Sequence, residues 1–138
     1  MLASRERGKL AAPEDLSYGL LKEGTMELLT KKVGDIVVVG LAEPGALEAS
    51  NVGAFRETMA NLVKDATRIL IDMGNITFLD SSGLGALVAI WRNISSRDGE
   101  MKLCRVGPSV RTVFELTRIH RIFEVYDTEE EALASYQA

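Results

Sequence analysis

The sequence is poor in the residues that most chemistry requires. In 138 residues it has one cysteine, one histidine, one tryptophan and three prolines. The single cysteine, Cys104, excludes an internal disulfide and a cysteine-rich metal site, and it fits the reducing cytoplasm. One histidine beside one cysteine gives little support to a transition-metal site. No segment approaches the roughly 20 consecutive apolar residues of a membrane helix. The opening stretch MLASRERGKLAAPEDL carries charges where a signal peptide needs an apolar core, so neither secretion nor membrane spanning is expected. Positive charge is also not in excess: 16 basic residues face 20 acidic ones, for a net charge of −4. That balance argues against a nucleic-acid backbone as the main partner, because such binding draws on concentrated Lys and Arg.

What is present suits one globular domain. Hydrophobic residues make up 46% of the chain and charged residues 26%, enough for a core without staples. Residues 1–24 mix charge, glycine and proline without sustained periodicity and read as an N-terminal extension, with at most a short packed turn around Leu16 to Leu21. The folded domain is expected over 25–138. Met26 to Thr30 alternates weakly, Val33-Gly34-Asp35 suits a turn, and Ile36 to Leu41 is an apolar run, which together predict a hairpin. Glu43-Pro44-Gly45 breaks the chain.

A helix follows, capped by Ser50 or Asn51, with Val52, Phe55, Met59, Leu62 and Val63 on one stripe and Arg56, Glu57, Asn61 and Lys64 facing water. Ile69-Leu70-Ile71 has the form of a central strand that Asp72 to Asn75 end. Ile76 to Leu79 then leads into Asp80-Ser81-Ser82-Gly83 and a helical pattern of Leu84, Leu87, Val88, Trp91 and Ile94. Met101 to Val106 reads as a strand and Gly107-Pro108-Ser109 as a helix entry. Phe123 to Tyr126 reads as a last short strand. Thr128 before Glu129, Glu130 and Glu131 starts a final helix. Strand and helix thus alternate after the hairpin, giving an α/β fold with a mixed sheet packed against helices.

Phe78-Leu79-Asp80-Ser81-Ser82-Gly83-Leu84-Gly85 carries the most chemistry. It puts two hydroxyls and a carboxylate where an apolar run becomes a helix. Asp80 or Ser81 can serve simply as the N-cap. A hydroxyl there can also accept a phosphoryl group, because free backbone N–H groups at a helix start tolerate the added charge of about −1.5 to −2. The segment lacks the lysine and spacing of a nucleotide loop and is not a G-x-S-x-G elbow. A hydrolase using Ser81 would need His120, and any chain with a histidine permits such a triad to be drawn. His120 reads as a surface or helix-end residue and Cys104 as a small core residue. Arg105, Arg111, Arg118 and Arg121 could form a basic patch. Asp72, Asn75 and Glu48 stand near the strand ends where such sheets place their sites.

This run strongly resembles the phosphorylation motif of the anti-sigma factor antagonists of the STAS domain family. Gly45-Ala46-Leu47-Glu48-Ala49-Ser50-Asn51 followed by Phe55 is similar to that family's turn before its first helix. Gly107-Pro108-Ser109-Val110-Arg111-Thr112-Val113-Phe114-Glu115-Leu116 and Ile122-Phe123 resemble its C-terminal pattern. The resemblance covers about Met26 to Tyr136.

It implies a cytoplasmic STAS-like fold that has no catalytic activity and works by binding. The unphosphorylated form would bind an anti-sigma factor that is also a serine kinase, and so free the sigma factor. Phosphorylation at Ser81 would stop this, and a PP2C-type phosphatase would reverse it. ATP and magnesium would belong to the kinase, with no cofactor on this chain. Asp80, Ser81, Ser82, Gly83 and Leu84, with Glu48, Ser50 and Asn51, would form the partner surface. Neither direct nucleic-acid binding nor a membrane is implied, and self-association stays open. The alternative is a STAS scaffold or accessory subunit of a larger signalling or transport assembly. Three departures from the family pattern are visible: Glu48 where Asp is usual, the proline-containing connection Leu41 to Gly45, and the extension over residues 1–24.

Overall fold

The computed structural model describes residues 19–23 and 26–136. Strands β1 (Gly19–Glu23), β2 (Met26–Val33) and β3 (Ile36–Leu41) open the fold, and β4 (Gly45–Leu47) leads into helix α1 (Val52–Leu62). β5 (Arg68–Asp72), β6 (Ile76–Leu79), α2 (Ser81–Ser95), β7 (Glu100–Cys104) and α3 (Pro108–Thr117) follow. A 3-10 turn at Ile119–Arg121, β8 (Glu124–Tyr126) and α4 (Glu129–Ser135) close it. The main sheet has the order β1-β2-β3-β5-β7-β8. Its first three strands are antiparallel neighbours and the rest pair in parallel.

The expected hairpin is β2 with β3, turned through Gly34 at φ +63°, a left-handed conformation that glycine adopts without strain. Two features were not expected. β1 lies within the segment assigned to the extension and pairs with β2 from Gly19↔Thr30 to Glu23↔Met26, so the sheet starts before residue 25. Leu16 to Tyr18, the start of the expected packed turn, lie outside the described residues. The break after Leu41 also holds a strand, β4, which pairs in parallel with β6 in a separate two-stranded sheet. Three residues are too few to show a period, and β4 forms because β6 offers it a ladder.

Strand alternation divides the core. Val37, Val39, Ile69, Ile71, Met101 and Leu103 point to one face, where Phe55 and Met59 of α1, Leu87 and Ile94 of α2 and Phe114 of α3 cover them. Ile36, Val38, Leu70 and Cys104 point to the other face, beneath Ala132 and Tyr136. Cys104 is thus a buried core residue, as expected. Thr128 caps α4 by accepting a hydrogen bond from Glu131 N at 3.1 Å. The Tyr136 hydroxyl ties the end of α4 to the sheet by donating to the Ile69 carbonyl oxygen. Charges at this second interface are paired: Lys31 Nζ meets Glu129 at 2.6 Å, and Lys102 Nζ meets Glu124 at 3.3 Å and Ser135 Oγ at 2.8 Å.

Candidate functional site

Helix α2 begins beyond the end of β6, and Asp80 is its N-cap in extended conformation. Each carboxylate oxygen of Asp80 has its own task. Oδ1 accepts from Gly83 N at 2.9 Å and closes the first helical turn. Oδ2 accepts from Ala49 N at 3.0 Å, 31 positions away in the chain, and so fastens that turn to the loop before α1. The Gly83 hydrogen bond, assisted by those from Ala49 and Ser82, holds the Asp80 carboxyl below its ordinary pKa, outweighing the opposing effect of desolvation. The backbone makes a second tie, because Leu47 pairs with Leu79 and its carbonyl accepts from Asp80 N at 3.3 Å. Gly83 is buried against that same carbonyl, and a Cβ there would lie 2.3 Å from Leu47 O. Glycine is required for this approach, whereas at Gly85 a Cβ would meet nothing within 4 Å.

The facing loop is held from within. Asn51 occupies the N-cap position of α1, but its side chain makes no capping bond, contrary to the expected cap by Ser50 or Asn51. Its Oδ1 accepts from Glu48 N at 2.9 Å and its Nδ2 donates to Ala46 O at 2.8 Å. The Glu48 carbonyl takes Val52 N at 2.8 Å. The amide thus closes the loop from residue 46 to 51 and leaves the helix start to the backbone. Ser81, at the first position of α2, is exposed, and no hydrogen bond among the described residues uses its hydroxyl. Ser81 stands at the positive end of the α2 dipole, although the Ser82 and Gly83 N–H groups there already serve the Asp80 carboxylate.

Among known protein families, the model of the STAS domain matches residues 27–132. The chain belongs to the STAS domain family. Its relatives place this STAS domain in the anti-sigma factor antagonist branch. A candidate anti-sigma factor antagonist of Thermotoga neapolitana is 31% identical over 78% of this chain and 95% of its own length. The structure of an anti-sigma-factor antagonist STAS domain protein from Planctomyces limnophilus is 26% identical, covers 80% of this chain and 98% of that one, and superposes with a TM-score of 0.73. The fold also recurs in the Bacillus anti-sigma factor antagonist SpoIIAA. Its unphosphorylated form is 22% identical and covers 88% of this chain and 99% of that one, with a TM-score of 0.60. Its phosphorylated form is 23% identical and covers 87% and 99%, also at 0.60.

Within this STAS domain the residues picked from the sequence come together but are not equally accessible. Ser81 and Ser50 are exposed, while Glu48, Ser82 and Leu84 are half-buried. Ser50 Oγ makes a long, 3.5 Å contact with Glu48 Oε2. Gly83 is buried, and Asp80 and Asn51 spend their polar atoms on backbone groups, so these three position the surface. Ala49 N, which holds Asp80, was not singled out from the sequence, and a backbone donor leaves no mark there.

Phe78 was also missed as a surface residue, although it is 47% exposed and lies two positions before Asp80. The register shift in which Gly45 pairs with Ile76 but Ala46 with Phe78 interrupts the alternation and turns Thr77 and Phe78 outward. Simple alternation would have grouped Phe78 with buried Ile76.

Asp72 and Asn75 have structural partners. Asn75 Nδ2 donates to Leu41 O at 2.9 Å, and Asp72 Oδ1 accepts from Gly74 N at 2.8 Å and Arg105 Nε at 3.0 Å. Burial dominates the Asp72 carboxyl and raises its pKa despite these contacts. Arg105, with φ +59°, therefore belongs to a partly buried ion pair and not to an exposed basic patch with Arg111, Arg118 and Arg121. His120 is exposed in the 3-10 turn, its Nδ1 3.2 Å from Phe114 O. Among the described residues no group of three or more His, Cys, Asp or Glu is placed to hold a metal, and no helix is long and apolar enough to cross a membrane.

Proposed function

We propose that this STAS domain is a phosphorylation-switched antagonist of an anti-sigma factor, with Ser81 as the acceptor. The observation that carries the reading is the exposed Ser81 hydroxyl on a turn whose backbone is locked independently of it, by Asp80 to Gly83 and Ala49 and by Gly83 against Leu47. Such a turn can take a phosphate and keep its fold, as the SpoIIAA fold does in its own two forms. With its hydroxyl free, the surface of Ser81, Ser82, Leu84, Glu48 and Ser50 docks on an anti-sigma factor that is also a serine kinase, and the sigma factor is released.

In the reverse step the kinase transfers the γ-phosphoryl group of ATP. The Ser81 Oγ–P bond forms, the bond to the β-phosphate oxygen breaks, ADP leaves and the hydroxyl proton passes to a base of the kinase. A PP2C-type phosphatase hydrolyses the ester to serine and inorganic phosphate. The added charge of about −1.5 to −2 at a docked surface weakens the complex by roughly a hundredfold or more.

The test incubates the protein with the candidate kinase and ATP, maps phosphate by mass spectrometry and measures complex formation. One main site at Ser81 is expected, with Ser81→Ala unphosphorylated yet binding and Ser81→Glu binding poorly. Phosphate only at Ser82 overturns the residue assignment. Complex formation unchanged by stoichiometric Ser81 phosphorylation overturns the mechanism.

A further inference from the structure

A cleft of about 360 Å³ lies between α1 and α2, away from the Ser81 turn. It exists because the facing positions Ala60 and Ala89 are too small to fill the space between the helices, and its floor is the buried pair Val63 and Ile90. Its rim is cationic: Arg56 projects from α1, Lys64 from the turn that follows it, and Arg97 closes the far side. The sequence pattern set Arg56 and Lys64 on a plain water-facing surface. Both are exposed, as that pattern predicts; positions 56 and 60 share a helical face, Val63 and Lys64 follow in the turn after α1, and so both charges also flank an apolar floor.

Elsewhere in the fold cations meet acids: Lys31 with Glu129, Lys102 with Glu124, Arg105 with Asp72 and Arg68 with Asp35. Among the described residues none of the three cleft cations pairs with a carboxylate, and no acid lines the cleft. Arg97 is held rigidly by carbonyls, with guanidinium donors 2.8 Å from Val63 O, 3.0 Å from Ala66 O and 3.3 Å from Lys64 O. With Asn93 Oδ1 accepting at 3.4 Å as well, these neutral acceptors occupy the terminal guanidinium donors, so Arg97 lends the cleft its charge and Arg56 and Lys64 are left to supply the hydrogen bonds. A structural role accounts for part of this, because Arg97 and Lys64 stand at the C-terminal end of α1, where the helix carries about half a negative charge. It does not account for Arg56, which lies past the first turn of α1 and more than a turn from its end, where the helix dipole has little effect. In a chain of net charge −4 the cleft is a local positive site.

We propose that this cleft binds a small organic anion, a phosphate or carboxylate on a compact apolar body, with the acid group between Arg56, Lys64 and Arg97 and the body on Val63 and Ile90. The volume lies within the range of small-ligand pockets. This proposal does not depend on the phosphorylation reading.

Phenyl phosphate titrated into the ¹⁵N-labelled protein tests it, with inorganic phosphate in parallel and Arg56→Gln/Lys64→Gln as the variant. Both substitutions are at surface positions, and Arg97 is left in place. Saturable amide shifts are expected over 56–64 and 89–97, with phenyl phosphate tighter than inorganic phosphate. The variant should bind at least tenfold more weakly, about 1.4 kcal/mol, and added salt should weaken the native complex. Absence of saturable shifts, shifts undiminished in the variant, or shifts spread over all exposed arginines would overturn the proposal. If phenyl phosphate does not bind but the variant weakens a complex with the anti-sigma factor, the cleft is a protein contact and the small-ligand assignment fails.

Discussion

Two glycines two positions apart in α2 should respond in opposite directions to the same substitution. Alanine in a helix interior is favoured over glycine by about 0.8–1.0 kcal/mol, so helix propensity alone predicts that Gly83→Ala and Gly85→Ala both stabilise. At Gly85 the new methyl would meet nothing within 4 Å, and the full gain should appear. At Gly83 it would stand 2.3 Å from the Leu47 carbonyl oxygen and 3.1 Å from Leu79 Cδ2. The struck atom is backbone within the β4–β6 ladder, so it cannot swing aside as a flexible side chain would.

Relief requires the start of α2 to move off Leu47 by about an ångström, at an overpacking cost near the upper end of about 1–3 kcal/mol. Subtracting the propensity gain leaves Gly83→Ala destabilised by about 2 kcal/mol, against about 1 kcal/mol of stabilisation for Gly85→Ala. Urea denaturation of the two variants and the native chain measures both values. The reasoning is refuted if Gly83→Ala is neutral or stabilising, because the helix start would then not depend on contact with Leu47.

Asp72 and Asp80 should contribute to the pH dependence of stability with opposite signs. Burial raises the Asp72 carboxyl above its ordinary pKa of 3.8, so the native state gains relative to Asp72→Asn as pH falls through the raised pKa toward that value. Hydrogen bonds lower the Asp80 carboxyl, so its contribution is present above 3.8 and is lost as pH falls through the depressed pKa, relative to Asp80→Asn. Denaturation of the three proteins across acidic pH checks both signs, and parallel curves for the two variants would contradict the assignment. Cys104 is fully buried and burial pushes its thiol far up, so a thiol reagent should label it only on unfolding. Rapid labelling of the native protein would show that the second core opens.

Much of the fold follows from local pattern. The stripe from Val52 to Val63, the apolar run at Ile69, the proline entry at Pro108 and the Thr128 cap each mark an element because period and capping chemistry act within a few residues. The candidate acceptor turn was legible for the same reason: its carboxylate, hydroxyls and glycine are consecutive. The sequence by itself therefore determined the order of the elements other than β1 and β4, and the place of Ser81 at the start of α2.

Tertiary structure decided what that turn rests on. Asp80 reaches Ala49 and Gly83 meets Leu47 only because β4 and β6 pair, and neither short strand declares its partner. Phe78 faces outward through a register shift, Asp72 captures Arg105 across two strands, and Arg56 joins Arg97 over a cleft between helices. Each depends on contacts between residues distant in the chain, whose energies appear only once the sheet and helices have brought them together.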